Sequence, residues 1–141
     1  MNTLIKIICF VIINITVVQA QEIHSQDIIV NVSNLNSNSG KVFVAIFDSE
    51  TNFLKKGIKS MQSKIEAHSC SVTFKNIPKG IYAVSIYHDE NNNGKMDKNF
   101  MGIPKEDYGC SNNAKGFMGP PKWKDAKFEL HNKTIIQNIK L

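Results

Sequence analysis

Apolar and polar residues alternate along most of the chain beyond residue 26, and few segments carry the 3.6-residue spacing of an amphipathic helix. Over Asp27–Val32 the apolar Ile28, Val30 and Val32 alternate with polar neighbours, the period-two pattern of a strand with one buried face. Asn34–Gly40 is a cluster of turn residues, and Lys41–Asp48 follows as a β-branched and aromatic run. There Val42, Val44 and Ile46 share one face and Phe43, Ala45 and Phe47 the other, so the pattern predicts a central strand covered on both sides. Asn52–Ser60 reads as a helical turn or an irregular crossing, Lys64–His68 as a short strand, and Ser71–Asn76 as a clearer one with Val72 and Phe74 inward. Pro78-Lys79-Gly80 is a turn that delivers the chain into Ile81–His88, the strongest strand pattern present. Near the C-terminus, Ala126–His131 and Thr134–Lys140 are expected to form a hairpin around Asn132-Lys133. About seven short strands with little helix predict an all-β fold, an antiparallel β-sandwich. No internal repeat or low-complexity linker divides it.

Two segments fall outside that pattern. The first is the N-terminus, where Lys6 precedes an apolar stretch over Ile7–Val18 and Val18-Gln19-Ala20 places small residues at a cleavage point. Residues 1–20 therefore read as a signal peptide, too short to span a bilayer comfortably; a retained N-terminal anchor is the alternative. No second apolar run follows, so the mature chain, residues 21–141, is expected to be one domain without a transmembrane segment, secreted or periplasmic. The second is Tyr87–Pro121, which lacks periodicity yet carries Phe100, Met101, Ile103, Tyr108, Phe117 and Met118. Loops of that length are uncommon in compact domains, and apolar content of this kind is foreign to a solvated linker. One long ordered loop is expected.

Composition narrows the functional classes. The formal net charge is +5, every basic residue is a lysine, and arginine is absent. Bidentate recognition of phosphate or guanine is arginine chemistry, and the lysines are scattered, so no nucleic-acid partner is expected. Of the three cysteines, Cys9 lies inside the apolar leader, leaving Cys70 and Cys110 in an exported chain. Oxidation is permitted there, and either a Cys70–Cys110 disulfide or two separate thiols fits the sequence. Neither forms a CxxC pair, so thiol redox chemistry and structural zinc lack a motif.

The long loop opens with Asp89-Glu90-Asn91-Asn92-Asn93-Gly94-Lys95-Met96-Asp97. Asp89, Asn91, Asn93, Lys95 and Asp97 stand at the first, third, fifth, seventh and ninth positions of a calcium loop, with Gly94 at the sixth. Alternate side-chain oxygens can then converge on one point, glycine permits the sharp turn, and Lys95 contributes its backbone carbonyl. The bidentate glutamate of the twelfth position is missing, because Phe100 stands there. Glu106 or Asp107 is the candidate to complete the shell. A self-satisfied turn is the competing reading, since Asn93-Gly94 is a favoured turn dipeptide. His88, followed by Asp89 and Glu90, offers a second constellation in which a histidine base is oriented by a carboxylate. The plainer reading is a hydrogen-bonded histidine at the rim of the sheet. No nucleophile elbow, HExxH or phosphate cradle occurs.

The run from Gly80 to Leu130 carries a recognisable series of motifs. Gly80-x-Tyr82-Ala83 leads into His88-Asp89-x-Asn91-x-Asn93-Gly94-x-x-Asp97. Gly102-Ile103-Pro104-Lys105-Glu106, Tyr108-Gly109, Ser111-Asn112-Asn113 and Pro121 through Ala126 to Phe128 follow. In these motifs the chain resembles domain of unknown function 2141, a family of small exported bacterial proteins. The resemblance covers essentially the whole mature chain. It implies a prealbumin- or immunoglobulin-like sandwich of no established activity, and it implies that Asp89, Asn91, Asn93 and Asp97 act as one unit beside Gly102–Asn113. Cys110 departs from the family pattern, where an aromatic residue is more usual.

The expectation is therefore an exported, non-enzymatic, monomeric β-sandwich. Calcium held by the Asp89–Asp97 loop would order a surface for an unknown ligand or envelope protein. Two alternatives stand beside it. One is a hydrolase-like enzyme using His88 with Asp89, Glu90 or Glu106; the other is a purely structural envelope component.

Overall fold

The computed structural model describes Ser25–Leu141, so the expected leader at residues 1–20 lies outside the described residues. Eight strands form two sheets. Strands β1 (Ser25–Ser33), β4 (Ser69–Pro78) and β8 (Ile135–Lys140) make a three-stranded sheet in the order β4-β1-β8. Strands β2 (Lys41–Phe47), β3 (Lys59–Ser63), β5 (Gly80–Asp89) and β6 (Tyr108–Cys110) make the second sheet in the order β3-β2-β5-β6. Strand β7 (Phe128–Leu130) pairs with the first residues of β5, on Gly80–Tyr82, while β6 pairs farther along, on Ser85–Tyr87. One short helix, α1 (Trp123–Ala126), precedes β7. None of the described helices is long and apolar enough to cross a membrane.

The alternation read from the sequence is what joins the two sheets. Ile28, Val30 and Phe74 of one sheet and Val44, Val84 and Ile86 of the other belong to a single buried cluster. Strand β2 lies between β3 and β5, and its apolar residues on both faces answer to two separate clusters, one on each side of the sheet. Its outward Ala45 and Phe47 join a second, smaller cluster in which Phe47, Phe53, Ala83, Cys110 and Ala126 are buried and Ala45, Ala114 and Trp123 pack alongside. The outer face of the five-stranded sheet is thus roofed by the end of the long loop and by α1.

Two expectations are corrected. First, β7 and β8 do not form a hairpin: β7 pairs with β5 and β8 pairs with β1 in parallel. Asn132-Lys133 carries the chain from one sheet to the other, and each strand presents its apolar side to the shared core from opposite directions. The sandwich is therefore antiparallel at every strand pair except β1/β8. Second, the short strand expected at Lys64–His68 lies earlier, at Lys59–Ser63. It is an edge strand exposed along nearly its whole length and so carries no apolar alternation. Of the two arrangements open to the cysteines, Cys70 and Cys110 are free thiols. Cys70 pairs with the inward-facing Val32, whereas Cys110 pairs with Ser85 and joins the outer cluster. The five-stranded sheet separates them. Burial pushes the Cys110 thiol up to about 11, and burial likewise raises Cys70, so neither is poised as a thiolate.

The turn at Pro78-Lys79-Gly80 is a corner at which the chain changes sheets. The Tyr82 hydroxyl donates to the Pro78 carbonyl at 2.9 Å and braces it. A Cβ on Gly80 would press on the Tyr82 ring at about 3.1 Å, so glycine lets the ring lie over the corner. The corner sends β5 across the middle of its sheet toward the long loop.

Candidate functional site

The inward face of β5 carries Tyr82, Val84, Ile86 and His88, and burial then continues into Asp89 against the alternation. The cause lies across the sheet. Gly40, with φ of +75°, passes so close to the end of β5 that a Cβ there would stand 1.9 Å from the Asp89 carbonyl oxygen. Only glycine allows that approach, and it covers the root of the loop. A buried carboxylate needs donors, and Asp89 has them. Oδ1 accepts from the Asn93 N–H at 3.1 Å and Oδ2 from the Gly94 N–H at 2.8 Å.

Beyond this root the loop is held by its own side chains. Asn91 Oδ1 accepts from the Asn93 N–H at 3.1 Å, and Asn93 Oδ1 from the Lys95 N–H at 2.8 Å. These are Asx turns, the local bonding that Asn supplies in place of sheet or helix. The two amide nitrogens turn toward Asp97: Asn91 Nδ2 donates to Oδ2 at 2.7 Å and Asn93 Nδ2 to Oδ1 at 2.9 Å. These bonds, Asn93 foremost, hold the Asp97 carboxyl below the usual carboxylate range; Lys105 and Lys95 add smaller contributions. Gly94 takes φ of +76° and Asn92 φ of 57°, conformations suited to these residue types.

Glu106 returns to the loop, as expected of one of the two downstream acids. Its Oε2 accepts from the Asp97 N–H at 3.1 Å and its Oε1 from the Glu90 N–H at 3.3 Å. The Lys105 N–H donates to the Asp97 carbonyl at 2.8 Å alongside. Asp107 does not join the loop oxygens. Its carbonyl accepts from the His88 N–H at 2.9 Å, and its carboxylate takes the Asn36 side-chain amide. The Tyr87 ring stacks on Phe43 with centroids 4.9 Å apart beside the loop. Its phenol is pushed up by burial first and then by the charges of Asp89 and Glu106.

The sequence pattern therefore brings Asp89, Asn91, Asn93, Lys95, Asp97 and Glu106 into one bonded unit. Among the described residues, no group of three or more His, Cys, Asp and Glu side chains converges as a metal site. Any cation held here would depend on the amide and backbone oxygens as much as on the acids.

His88 is wholly buried. Its Nε2 lies 2.7 Å from the Ser39 carbonyl. A carbonyl only accepts, so the proton of a neutral ring sits on Nε2. Nδ1 has no hydrogen-bond partner and stands 3.5 Å from Glu90 Oε1. The imidazole thus pins the Ser39–Gly40 turn over the loop root. Two surface depressions among the described residues lie elsewhere, one over Asn31, Cys70 and Asn138 and the other over Tyr108, Lys115 and Ile139.

A further polar centre went unassigned in the sequence reading. Ser111 is fully buried; its hydroxyl accepts from the Val84 N–H at 2.9 Å and donates to the Ala126 carbonyl at 2.6 Å. Asn112 donates through Nδ2 to the Lys127 carbonyl at 2.9 Å, and Asn113 Oδ1 accepts from the Lys140 N–H at 2.9 Å. Ser111-Asn112-Asn113 is thus a fastener between β5, α1 and β8. The only signal for it in the sequence is its place in the family motif.

Comparison with known proteins adds the family. The model of an uncharacterised protein family conserved in bacteria (DUF2141) matches residues 30–138, and the chain belongs to that family. No curated protein and no solved structure matches the chain.

Proposed function

We propose that this member of an uncharacterised bacterial family is an exported, non-enzymatic sandwich protein. In this reading its Asp89–Asp97 loop binds calcium and so orders a ligand- or partner-binding surface. The observation that carries the reading is the pair of Asx turns at Asn91 and Asn93, which set side-chain oxygens at alternate positions beside Asp89, Asp97 and Glu106. Each amide oxygen that accepts one N–H keeps a second lone pair, and each carboxylate has about four acceptor sites. Oxygen-only donors, several of them neutral, suit calcium at a dissociation constant of about 10⁻⁴–10⁻³ M, the range of extracellular modules. The apolar leader with its small-residue cleavage point supports export.

The test is the melting temperature of the chain from Gln21 in EDTA, in millimolar calcium and in magnesium. An ion at about a hundred times its dissociation constant adds about 2.7 kcal/mol, a rise of several degrees. A calcium-selective rise that Asp97→Ala and Asn91→Ala abolish supports the reading; equal melting in all three solutions overturns it. A hydrolase-like role for His88 gains one observation, the 3.5 Å approach of Nδ1 to Glu90 Oε1, but the ring is wholly buried and offers a substrate no approach.

A further inference from the structure

An eight-residue pattern occurs twice in the long segment. Residues 98–105 and 115–122 both read Lys-x-Phe-Met-Gly-x-Pro-Lys. The repeat is too short to be a unit of the fold, so the expectation of no internal repeat holds for the architecture and fails here. Each copy forms a tight turn with Phe-Met at its apex. In the first, Asn99 Oδ1 accepts from the Met101 and Ile103 N–H groups at 2.9 and 3.0 Å. Gly102, with φ of +79°, donates to the Asn99 carbonyl at 2.9 Å. In the second, Met118 has φ of 55°, and Gly116 lies so near that a Cβ on it would stand 1.7 Å from the Gly119 oxygen. The first turn is built from backbone bonds and Asn99, the second from the Met118 conformation and the close Gly116–Gly119 approach, and the apical side chains of both stand in solvent. Phe100 is 97% exposed, Met101 68%, Phe117 92% and Met118 94%. Single exposed apolar residues are ordinary, but four large ones presented by two copies of one sequence pattern mark a contact surface.

The flanks decide what kind of contact. Lys98 and Lys105 bracket the first apex, Lys115 and Lys122 the second. Among the described residues no lysine forms an ion pair; the two close contacts of acids with basic side chains are His88–Glu90 and His131–Glu129. Around the first apex Asp97 and Glu106 offset Lys98 and Lys105, whereas around the second Lys115, Lys122, Lys124 and Lys127 stand against one acid, Asp125. Each turn therefore offers a convex apolar tip, and the second adds an excess of positive charge beside it. That layout suits a deformable, negatively charged surface, into which a phenyl and a thioether sink while lysine stems reach back to the phosphates. A rigid protein partner would need a separate cavity for each tip.

We infer that the Phe100-Met101 and Phe117-Met118 turns are two prongs of a docking site for an anionic lipid surface. This names an occupant for the surface in the proposed function, yet it does not require calcium, and the two are tested separately. The assay is co-sedimentation of the Gln21–Leu141 chain, which keeps every described residue, with vesicles in EDTA. Vesicles of phosphatidylglycerol and phosphatidylcholine are expected to bind it and vesicles of phosphatidylcholine alone are not, with binding falling as salt rises. Each double variant, F100S with M101S and F117S with M118S, should weaken binding by about fivefold or more, and the quadruple variant should reduce it to background with an unchanged melting temperature. Replacing Lys98, Lys105, Lys115 and Lys122 by glutamate should remove the anionic preference, at about fivefold per lysine. Absence of binding to anionic vesicles, or undiminished binding by the quadruple variant, overturns the inference. So does concentration-dependent self-association that the serine variants abolish, which would assign the turns to a second copy of the chain. Vesicle binding in EDTA without a calcium-dependent melting shift would leave this inference standing and the calcium reading fallen; the reverse pair of results would do the opposite.

Discussion

Residues 90–107 and residues 108–126 are successive parts of one connection between β5 and β7, and different forces hold them. The first part contains no buried residue. Its order comes from Asn91, Asn93 and Asn99, each bonding the backbone two residues on, and from Asp89, Asp97 and Glu106 accepting amide protons. The second part is anchored by burial: Cys110, Ser111, Pro121 and Ala126 are inaccessible, and Trp123 lies edge-on to Phe53 with centroids 5.7 Å apart. Agents that compete for oxygens, such as cations or acid, should act on the first part. Lost volume should act on the second.

The largest effect should come from emptying the outer cluster. Phe53 is nearly buried between Phe47, whose ring centroid is 5.4 Å away, and Trp123. Phe53→Ala should cost about 3–5 kcal/mol and lower the melting temperature by more than about 10 °C. Chemical denaturation of that variant beside the F100S and M101S variant would put the contrast in one experiment. Comparable losses in both would mean that the first part shares the packing of the second.

Ser111→Ala should rank next. It removes the acceptor of the Val84 N–H and the donor to the Ala126 carbonyl in a site without water access. Buried groups left without partners cost about 1–3 kcal/mol. Hydrogen exchange should localise the loss to α1, β7 and the start of β5 while the amides of Asn93 and Gly94 keep their protection. If those amides lose protection as well, the two parts of the connection unfold as one unit.

Asp89→Ala should be similar in size but opposite in place. Its two carboxylate oxygens hold the Asn93 and Gly94 amides, so about 1–3 kcal/mol should be lost mainly from residues 90–107. Under the proposed function it also removes the calcium response. A variant that keeps the response would move the ion away from this loop.

The same contrast accounts for what was legible in the sequence. Strands β2 and β5 were readable because burial imposes alternation on them, and Asp89, Asn91, Asn93 and Asp97 were readable because their bonds are local. Glu106 was foreseen only as one of two returning acids, since its contact spans nine residues to the Asp97 amide. Strand β3 was displaced because an exposed edge strand imposes no pattern on Lys59–Ser63. Pairing of β7 with β8 was misjudged because alternation states which face is apolar and not which sheet the strand joins. Gly40 and Ser111 escaped notice because each acts on a residue distant in the chain.

The smallest effect should be that of acid on Asp97. Its carboxyl is lowered from the ordinary 3.8 chiefly by the Asn93 and Asn91 amides. Between the folded and ordinary values the unfolded chain binds more protons than the folded one, so stability rises with pH there. The contribution is therefore complete above the ordinary carboxylate range, shrinks as pH falls through it, and is gone below the folded value. From neutral pH down to about 5 the side-chain amide signals of Asn91 and Asn93 should stay fixed, and they should move as pH drops below about 4. Asp97→Asn should remove that step. Because Lys105 and Lys95 rank behind the two amides, and because exposed charges are screened, added salt should leave the step nearly in place. A step that shifts strongly with salt would assign the order of this loop to its lysines, and the division between its two parts would then be one of charge against packing.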